Sequence, residues 1–310
     1  MAVFWKNEKL KMMDEILVNS IETLQDALRS RSYIADRGLA TSIYLAIKLG
    51  RPLFLEGEAG VGKTEVAKVL KDVLDTDLIR LQCYEGLDVN QAVYEWNYSR
   101  QMIYIRVLEA RGAKIDEQEL FGPQFLLQRP LLQAIENSRQ RPPVLLVDEI
   151  DRSDEEFEAY LLELLSDFQI TIPEIGTIKA ERPPVVVITS NRTREVHDAL
   201  KRRCLYYWID YPSFEKELEI VHTKVSQAPL ELSRQVTAFV QNLRHDDLYK
   251  IPGVAETLDW AAALAALDQS TLTKEVVEDT LGVILKYQDD VEKVSGHSVD
   301  EILARIGAWK

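Results

Sequence analysis

Apolar side chains at Leu10, Met13, Ile16, Leu17, Ile21, Leu24 and Leu28 recur three and four residues apart with polar residues between them, which predicts an amphipathic helix over 10–30. A second helix is predicted over 37–49. The period then changes. PLFLEG (52–57), LIRLQC (78–83), VLLVDEI (144–150), VVVITSN (185–191) and LYYWIDY (205–211) are short, nearly continuous apolar runs, the pattern of parallel strands covered on both faces. Arg141-Pro142-Pro143 and Arg182-Pro183-Pro184 stand directly before the third and fourth runs. Proline extends the chain there and cannot sit inside a central ladder, so both strand starts are sharply set. Helical segments fill the gaps at 63–74, about 90–112, 128–140 and 155–168, and Ser153 and Glu156 before the last have capping-box spacing. Gln169 to Arg182 reads as a hairpin: Ile170 and Ile172 flank Thr171, Pro173 to Gly176 supply the turn, and Ile178 lies on the return.

Strand and helix alternate, which predicts a doubly wound α/β domain built on a parallel five-stranded sheet. After Pro212 the strand signals stop, and 214–227, 232–245, 254–268 and 273–288 all carry helical periodicity. The expected organisation is an N-terminal helical segment over 1–32, an α/β core over 33–212 and a small all-α domain over 213–310.

Composition narrows the class. The 310 residues are 46% hydrophobic and 28% charged, with 13 Gly and 11 Pro, which excludes collagen-like and disordered chains. Lys and Arg number 37 against 51 Asp and Glu, a net charge of −14, the wrong sign for an extended basic face, so wide nucleic-acid binding is disfavoured. Two cysteines without a CxxC, Cys83 and Cys204, provide neither a disulfide framework nor a zinc knuckle, and a reducing compartment fits. The longest apolar stretch, Trp260 to Leu267, is far short of the roughly 20 residues that cross a bilayer. The start, MAVFWKNEKLKMMDEI, has no signal-like apolar region, so a cytoplasmic protein without a membrane span is expected. His197, His222, His245 and His297 are scattered without paired-ligand spacing, and no zinc chemistry is expected.

The chemistry concentrates in two places. Gly57-Glu58-Ala59-Gly60-Val61-Gly62-Lys63-Thr64 satisfies GxxxxGK[ST] between a predicted strand and a predicted helix, the context a P-loop requires. Its glycines let the backbone wrap a phosphate, its N–H groups and the helix start supply positive potential, Lys63 reaches the outer phosphates and Thr64 holds magnesium. A Gly-rich turn with a coincidental Lys-Thr is the alternative, and the agreement of motif with flanks speaks against it. The second place is Asp148-Glu149, two carboxylates ending an apolar strand, where open α/β sheets bind their ligands. Asp148 would orient the magnesium shell and Glu149 would polarise an attacking water, the two needs of phosphoryl transfer. Alone, such a pair is as readily a solvated turn.

GEAGVGKT, VLLVDEID and ITSN, with this layout over roughly residues 35–290, resemble the AAA+ ATPases, and the chain is similar to their MoxR branch. GRPLFLEGEAGVGKTE, LIRLQCYEGLD, AVYEWNY and RPPVLLVDEIDRSDEEFEAYLLELL resemble the accessory ATPases of carbon monoxide dehydrogenase maturation. The resemblance implies strand order 5-1-4-3-2, an all-α lid, ATP with Mg2+ as cofactor, and a ring-shaped homo-oligomer, a hexamer, acting as a chaperone. It also implies a client such as a molybdenum-containing carbon monoxide dehydrogenase type enzyme and a von Willebrand A-domain partner. By position, Asn191 matches the sensor-1 residue, while Lys201, Arg202 and Arg203 match the region of the trans arginine finger, with Arg203 corresponding best and Arg202 next. An Asn ending a strand at a turn and cations ending a helix are the plainer readings. Pro252 to Thr257 departs from the family, which carries a sensor-2 arginine there. No Asn-Lys-x-Asp or Thr-Lys-x-Asp element follows the P-loop, so the resemblance favours ATP over GTP. In the implied strand order the two cysteines lie at opposite sheet edges, too far apart for a disulfide.

Tyr94, Trp96, Tyr98, Tyr104, Phe121 and Phe125 crowd the segment where MoxR proteins carry an insert near a central pore. Core packing is the commoner fate of such aromatics. Tyr84, Glu85 and Gly86 read equally as a pore loop or an ordinary one. The leading expectation is an ATP-driven chaperone, with a nucleic-acid motor and a nucleotide-dependent assembly platform as alternatives.

Overall fold

The computed structural model describes residues 19–113, 117–137 and 141–307. The stripe expected at Leu10, Met13, Ile16 and Leu17, and the end of the segment expected at 128–140, lie outside these residues. From Ile21 the chain runs α1 (Ile21–Arg29), α2 (Arg37–Leu49), β1 (Leu53–Gly57), α3 (Lys63–Leu74) and β2 (Leu78–Gln82). Then come α4 (Val89–Ala92), β3 (Tyr94–Trp96), α5 (Tyr98–Ala110), α6 (Glu117–Leu120), β4 (Leu126–Gln128) and α7 (Pro130–Glu136). β5 (Val144–Asp148), α8 (Glu155–Asp167), β6 (Gln169–Ile172), β7 (Gly176–Lys179), β8 (Val185–Ser190), α9 (Asp198–Arg203) and β9 (Leu205–Ile209) follow.

Five strands form a sheet in the order β2-β5-β8-β1-β9, the order the resemblance implies. Parallel registers pair Leu78 with Val144, Val144 with Val185, and Leu53 with Val187. Every residue of β1 and β5 is buried, which explains their unbroken apolar runs. Pro143 ends immediately before β5 and contributes only its carbonyl, which accepts from Val185 at 3.0 Å, so its missing N–H costs the ladder nothing. Cys83 and Cys204 flank the two edge strands; both are free, and burial pushes both thiols up to about 12. They remain protonated at neutral pH.

Three local expectations need correction. The helix expected over 90–112 is broken by β3, which pairs antiparallel with β4, Tyr94 opposite Gln128 and Trp96 opposite Leu126. Aromatic side chains favour a half-buried pleat, and Asn97 then starts α5 by accepting from Arg100 N at 3.0 Å. The helix expected from 128 starts at Pro130, which occupies the first turn where an N–H would have no partner. The cap of α8 is Asp154, whose Oδ1 accepts from Phe157 N at 2.8 Å, while the Ser153 hydroxyl turns back to donate to the Ile150 carbonyl at 2.8 Å. Aspartate next to serine offered a second cap in a register one residue later, and the tight turn over Ile150–Arg152 had already engaged the serine.

The chain divides into two compact units. One holds residues up to Leu24, Arg37–Glu56 and Thr64–Trp208; its core joins Phe54, Leu145, Val147 and Ile188 of the sheet to Leu131 and Leu132 of α7 and Leu161 and Leu164 of α8. The other holds Gln25–Asp36, Gly57–Lys63 and Ile209–Lys310. It contains α10 (Phe214–Lys224), α11 (Leu230–Leu243), α12 (Val254–Ala266), α13 (Lys274–Ile284), α14 (Gln288–Val294) and α15 (His297–Gly307), of which the last two fall beyond the periodic spans predicted from sequence. Trp260 packs on Phe239 at 5.2 Å between ring centroids and donates its indole N–H to Thr280. The buried Arg244 makes a two-pronged bond to the buried Glu217, at 2.6 and 2.7 Å, and Gln241 and Thr257 complete that carboxylate. A charge pair so fully bonded is tolerated in a core, and removing either partner alone would strand the other. Among the described residues no helix is long and apolar enough to cross a membrane.

Candidate functional site

The glycine loop follows β1 directly. A Cβ on Gly57, at φ +157°, would stand 2.2 Å from the Ile209 carbonyl oxygen, so only glycine lets the loop leave the sheet there. Lys63 is buried and donates through Nζ to the Gly57 and Glu58 carbonyls at 2.7 and 2.6 Å, closing the loop on itself. Ala255 N–H, in the first turn of α12, donates to the Gly60 carbonyl at 3.1 Å. A Cβ on Gly253 would meet the Ala59 oxygen at 2.8 Å and Gly60 Cα at 2.9 Å. Backbone lies on backbone at Gly253, which leaves no room for a side chain at that position.

Thr64, the next residue, opens the acidic part of the site. Its hydroxyl donates to Asp148 Oδ1 at 3.0 Å, and Thr189 from β8 donates to the same oxygen at 2.6 Å. Asp148 Oδ2 accepts from Arg80 Nε at 3.0 Å and Nη2 at 2.5 Å. Glu149 has φ 56° and ψ 52°, a left-handed conformation that costs a non-glycine residue about 1–3 kcal/mol and is found where surroundings enforce it. Here the enforcement is visible. Its N–H is held by Thr189 Oγ1 at 2.9 Å, Oε1 accepts from Asn191 Nδ2 at 3.3 Å, and Oε2 accepts from Gln82 at 3.0 Å with Arg152 at 3.2 Å. Thr64, Asp148, Glu149 and Asn191, singled out from sequence, are thus brought together at the carboxyl ends of three neighbouring strands.

Sequence reading missed Arg80, Gln82, Thr189 and Asp151. The signal for the first two was alternation: Ile79 and Leu81 point into the core, which sends Arg80 and Gln82 to the other face. Asp151 is buried and receives the Asn191 N–H at 3.1 Å, the Thr193 N–H at 2.9 Å and the Thr193 hydroxyl at 2.7 Å, holding the loop that carries Asn191. Burial pushes the Asp151 carboxyl up, but those bonds outweigh it and hold it below its ordinary value of 3.8. A carboxyl lowered by folding stabilises fully above its unfolded value and loses that contribution as pH falls through the folded one. Asp151→Asn is therefore expected to melt below the parent at pH 7, by roughly 1–3 kcal/mol of stability. The gap should close as the pH drops below about 4; a gap independent of pH in thermal melts would show that the charge is not what counts.

The basic cluster is divided. Lys201 turns inward, with Nζ at 3.4 Å from the buried Glu56, just before the glycine loop, and 3.3 Å from Glu195. Arg203 is exposed and donates to the Leu162 carbonyl at 2.8 Å, Arg202 is exposed, and neither is bonded to the acidic group among the described residues. Arg51 donates to the carbonyls of Arg202, Arg203 and Cys204, the end of α9, where a cation is favoured. Of the aromatics, Trp96 and Phe125 belong to the core, whereas Tyr98 and Phe121 are exposed. Tyr84 is exposed and donates to Gln91.

The donor set fits a hard cation. Two oxygens, Thr64 Oγ1 and Asp148 Oδ1, converge at 3.0 Å, and no group of three or more His, Cys, Asp or Glu gathers among the described residues. Magnesium keeps waters and phosphate oxygens in most of its positions and takes only one or two protein ligands.

A glycine loop after β1, an acid pair ending the strand two places away and the order β2-β5-β8-β1-β9 define the P-loop AAA+ fold with a helical C-terminal region. Residues 52–204 match the family model of the AAA domain, dynein-related subfamily, and this part of the chain is an AAA+ domain. The chain is 26% identical over 272 residues to the chaperone protein ClpB of Streptomyces albus G, covering 86% of this chain but only 26% of ClpB, so it spans about a quarter of that relative. It is 23% identical over 226 residues to an uncharacterised Staphylococcus aureus protein, covering 71% of this chain and 76% of the other. Solved structures with a similar fold include the Thermotoga maritima RuvB Holliday junction branch migration motor, at 16% identity, TM-score 0.44, and 84% and 69% coverage. A candidate ATPase of Cytophaga hutchinsonii aligns at 16% identity, TM-score 0.47, and 96% and 97% coverage.

Proposed function

We propose that this chain is a magnesium-dependent ATPase of the MoxR type that works as a ring-shaped homo-oligomer, a hexamer, to remodel a partner protein. The observation that carries the reading is the meeting of Thr64, Asp148, Glu149 and Asn191 at the strand ends, in a chain whose Gly57–Lys63 loop runs straight into Thr64. Bound magnesium would neutralise phosphate charge and fix the phosphate geometry. Gly57, Glu58, Ala59, Gly60, Val61 and Gly62 present backbone to the phosphates, and Lys63 gives up its loop carbonyls to meet them. Thr64 and Asp148 would hold the metal's shell. Glu149 orients and polarises a water, and the Asn191 amide aligns it with the terminal phosphate.

The α/β core over 33–212 and the lid over 213–310 are the two parts that nucleotide would couple. The similarity to ClpB supports a remodelling role, and the sequence resemblance points to a client of the carbon monoxide dehydrogenase type, with a von Willebrand A-domain protein as adaptor. A net charge of −14 supports a protein client over nucleic acid. Arg203, exposed at the end of α9, is the residue we assign to a neighbour's ATP, with Arg202 next.

Phosphate release with subunit mixing tests the reading. Arg203→Ala alone should lose about 10³- to 10⁵-fold in turnover. Mixed with Glu149→Gln subunits it should regain activity, because an interface then joins an intact Glu149 to an intact Arg203. No rescue at any ratio, with specific activity unchanged on dilution, would mean a self-contained monomer. No phosphate release by the parent chain at all would defeat the ATPase.

A further inference from the structure

Arg80 is the third residue of β2, a strand at the sheet edge, and its guanidinium is half-exposed while the carboxylate it holds is buried. Two of its N–H groups lie on Asp148 Oδ2, at 3.0 and 2.5 Å, and the hydroxyls of Thr64 and Thr189 lie on Oδ1. All the accepting positions of Asp148 are therefore taken by four donors, one pair of them cationic. A divalent ion approaching the Thr64–Asp148 Oδ1 pair would come within a few ångströms of the full positive charge of the guanidinium on Oδ2, in a largely buried setting where such repulsion is strong. The sequence prepares this placement: the register sets Gln82 opposite Asp148 and Arg80 opposite Leu146, so an arginine at 80 reaches two residues along the neighbouring strand to the carboxylate.

Resting on the nucleotide reading above, we propose that Arg80 is an internal counter-ion that holds the second oxygen of Asp148, and so sets a positive charge beside the Thr64–Asp148 donor pair, while the nucleotide is absent, so that a divalent cation enters only together with the phosphates. Half its side chain is in solvent, so the guanidinium can be hydrated on leaving Asp148. The phosphates bring the negative charge that makes the exchange of one cation for another favourable. Arg80 is in this sense a metal-gating residue acting through Asp148, and it takes no part in the bond changes.

The test is Mn2+ binding to nucleotide-free protein, followed by electron paramagnetic resonance of the free ion. The parent should bind Mn2+ weakly. Arg80→Ala should bind it at least about tenfold more tightly, since an uncompensated carboxylate beside Thr64 is left for the ion. Arg80→Gln, which keeps a neutral donor on a shorter polar side chain, should show the same direction and guards against a folding defect in the alanine variant. Adding Asp148→Asn to either should abolish the gain. Parent-like Mn2+ affinity in folded Arg80→Ala and Arg80→Gln would overturn the proposal, as would tight Mn2+ binding by the parent itself. Mg2+-ADP binding to the parent, measured by calorimetry alongside, separates the two levels: its absence would defeat the nucleotide reading, while the nucleotide-free arm still decides the role of Arg80.

Discussion

Lys63→Ala is expected to weaken ATP and ADP binding by about two orders of magnitude. Charge-assisted bonds in a protected site contribute roughly 1.5–3 kcal/mol each, and 1.4 kcal/mol is a factor of ten in affinity. Alanine removes the cation that would meet the outer phosphates, and it also removes the clasp on the Gly57 and Glu58 carbonyls that shapes the loop. Both losses act in the same direction. Lys63 is buried and alanine releases the Gly57 and Glu58 carbonyls, so circular dichroism is recorded alongside to show a folded variant. Calorimetric titration with ADP is the measurement, and affinity equal to the parent in a folded variant would remove the P-loop assignment.

Glu149→Gln should bind Mg2+-ATP like the parent and lose about 10²- to 10⁴-fold in turnover, the usual contribution of a positioned general base. The geometry adds a detail. Both oxygens of Glu149 accept, one from Asn191 and the other from Gln82 and Arg152, and an amide has only one oxygen to offer. Its oxygen should stay with Arg152 and Gln82, and its NH2 then faces Asn191, which turns its own amide to accept. Shape is kept and basicity is lost. Single-turnover phosphate release separates the cases: normal hydrolysis in this variant would move the water-polarising role away from Glu149.

Periodicity and punctuation carried much of the architecture. The helices from Arg37 and from Lys63 begin and end where the apolar spacing predicts, because one face of each meets a core and the pattern records which face that is. Prolines before β5 and β8 marked strand starts for a reason confined to their own backbone. The break at β3 was not legible, because Tyr94-Glu95-Trp96 suits helix or strand and only a partner strand more than thirty residues later, β4, decides between them. Ser153 and Asp154 offered adjacent caps, and the choice was made by a turn that a spacing rule does not see.

The glycine loop and the acid pair could be read from the chain alone because each is a contiguous run whose chemistry depends on adjacent residues: small residues that free the backbone, a lysine and a threonine at a helix start, two carboxylates at a strand end. What only the tertiary structure decided is how those carboxylates are dressed. Arg80, Thr189, Gln82 and Asn191 come from two other strands and the loop after one of them, and the strand order with its register brings them to Asp148 and Glu149. Lys201, read with Arg202 and Arg203 as one basic cluster, is separated from them because α9 and β1 place the buried Glu56 within its reach. Local pattern specifies elements and backbone-bound motifs; long-range pairing sets which charges meet, since charges interact through space at distances the chain order does not encode.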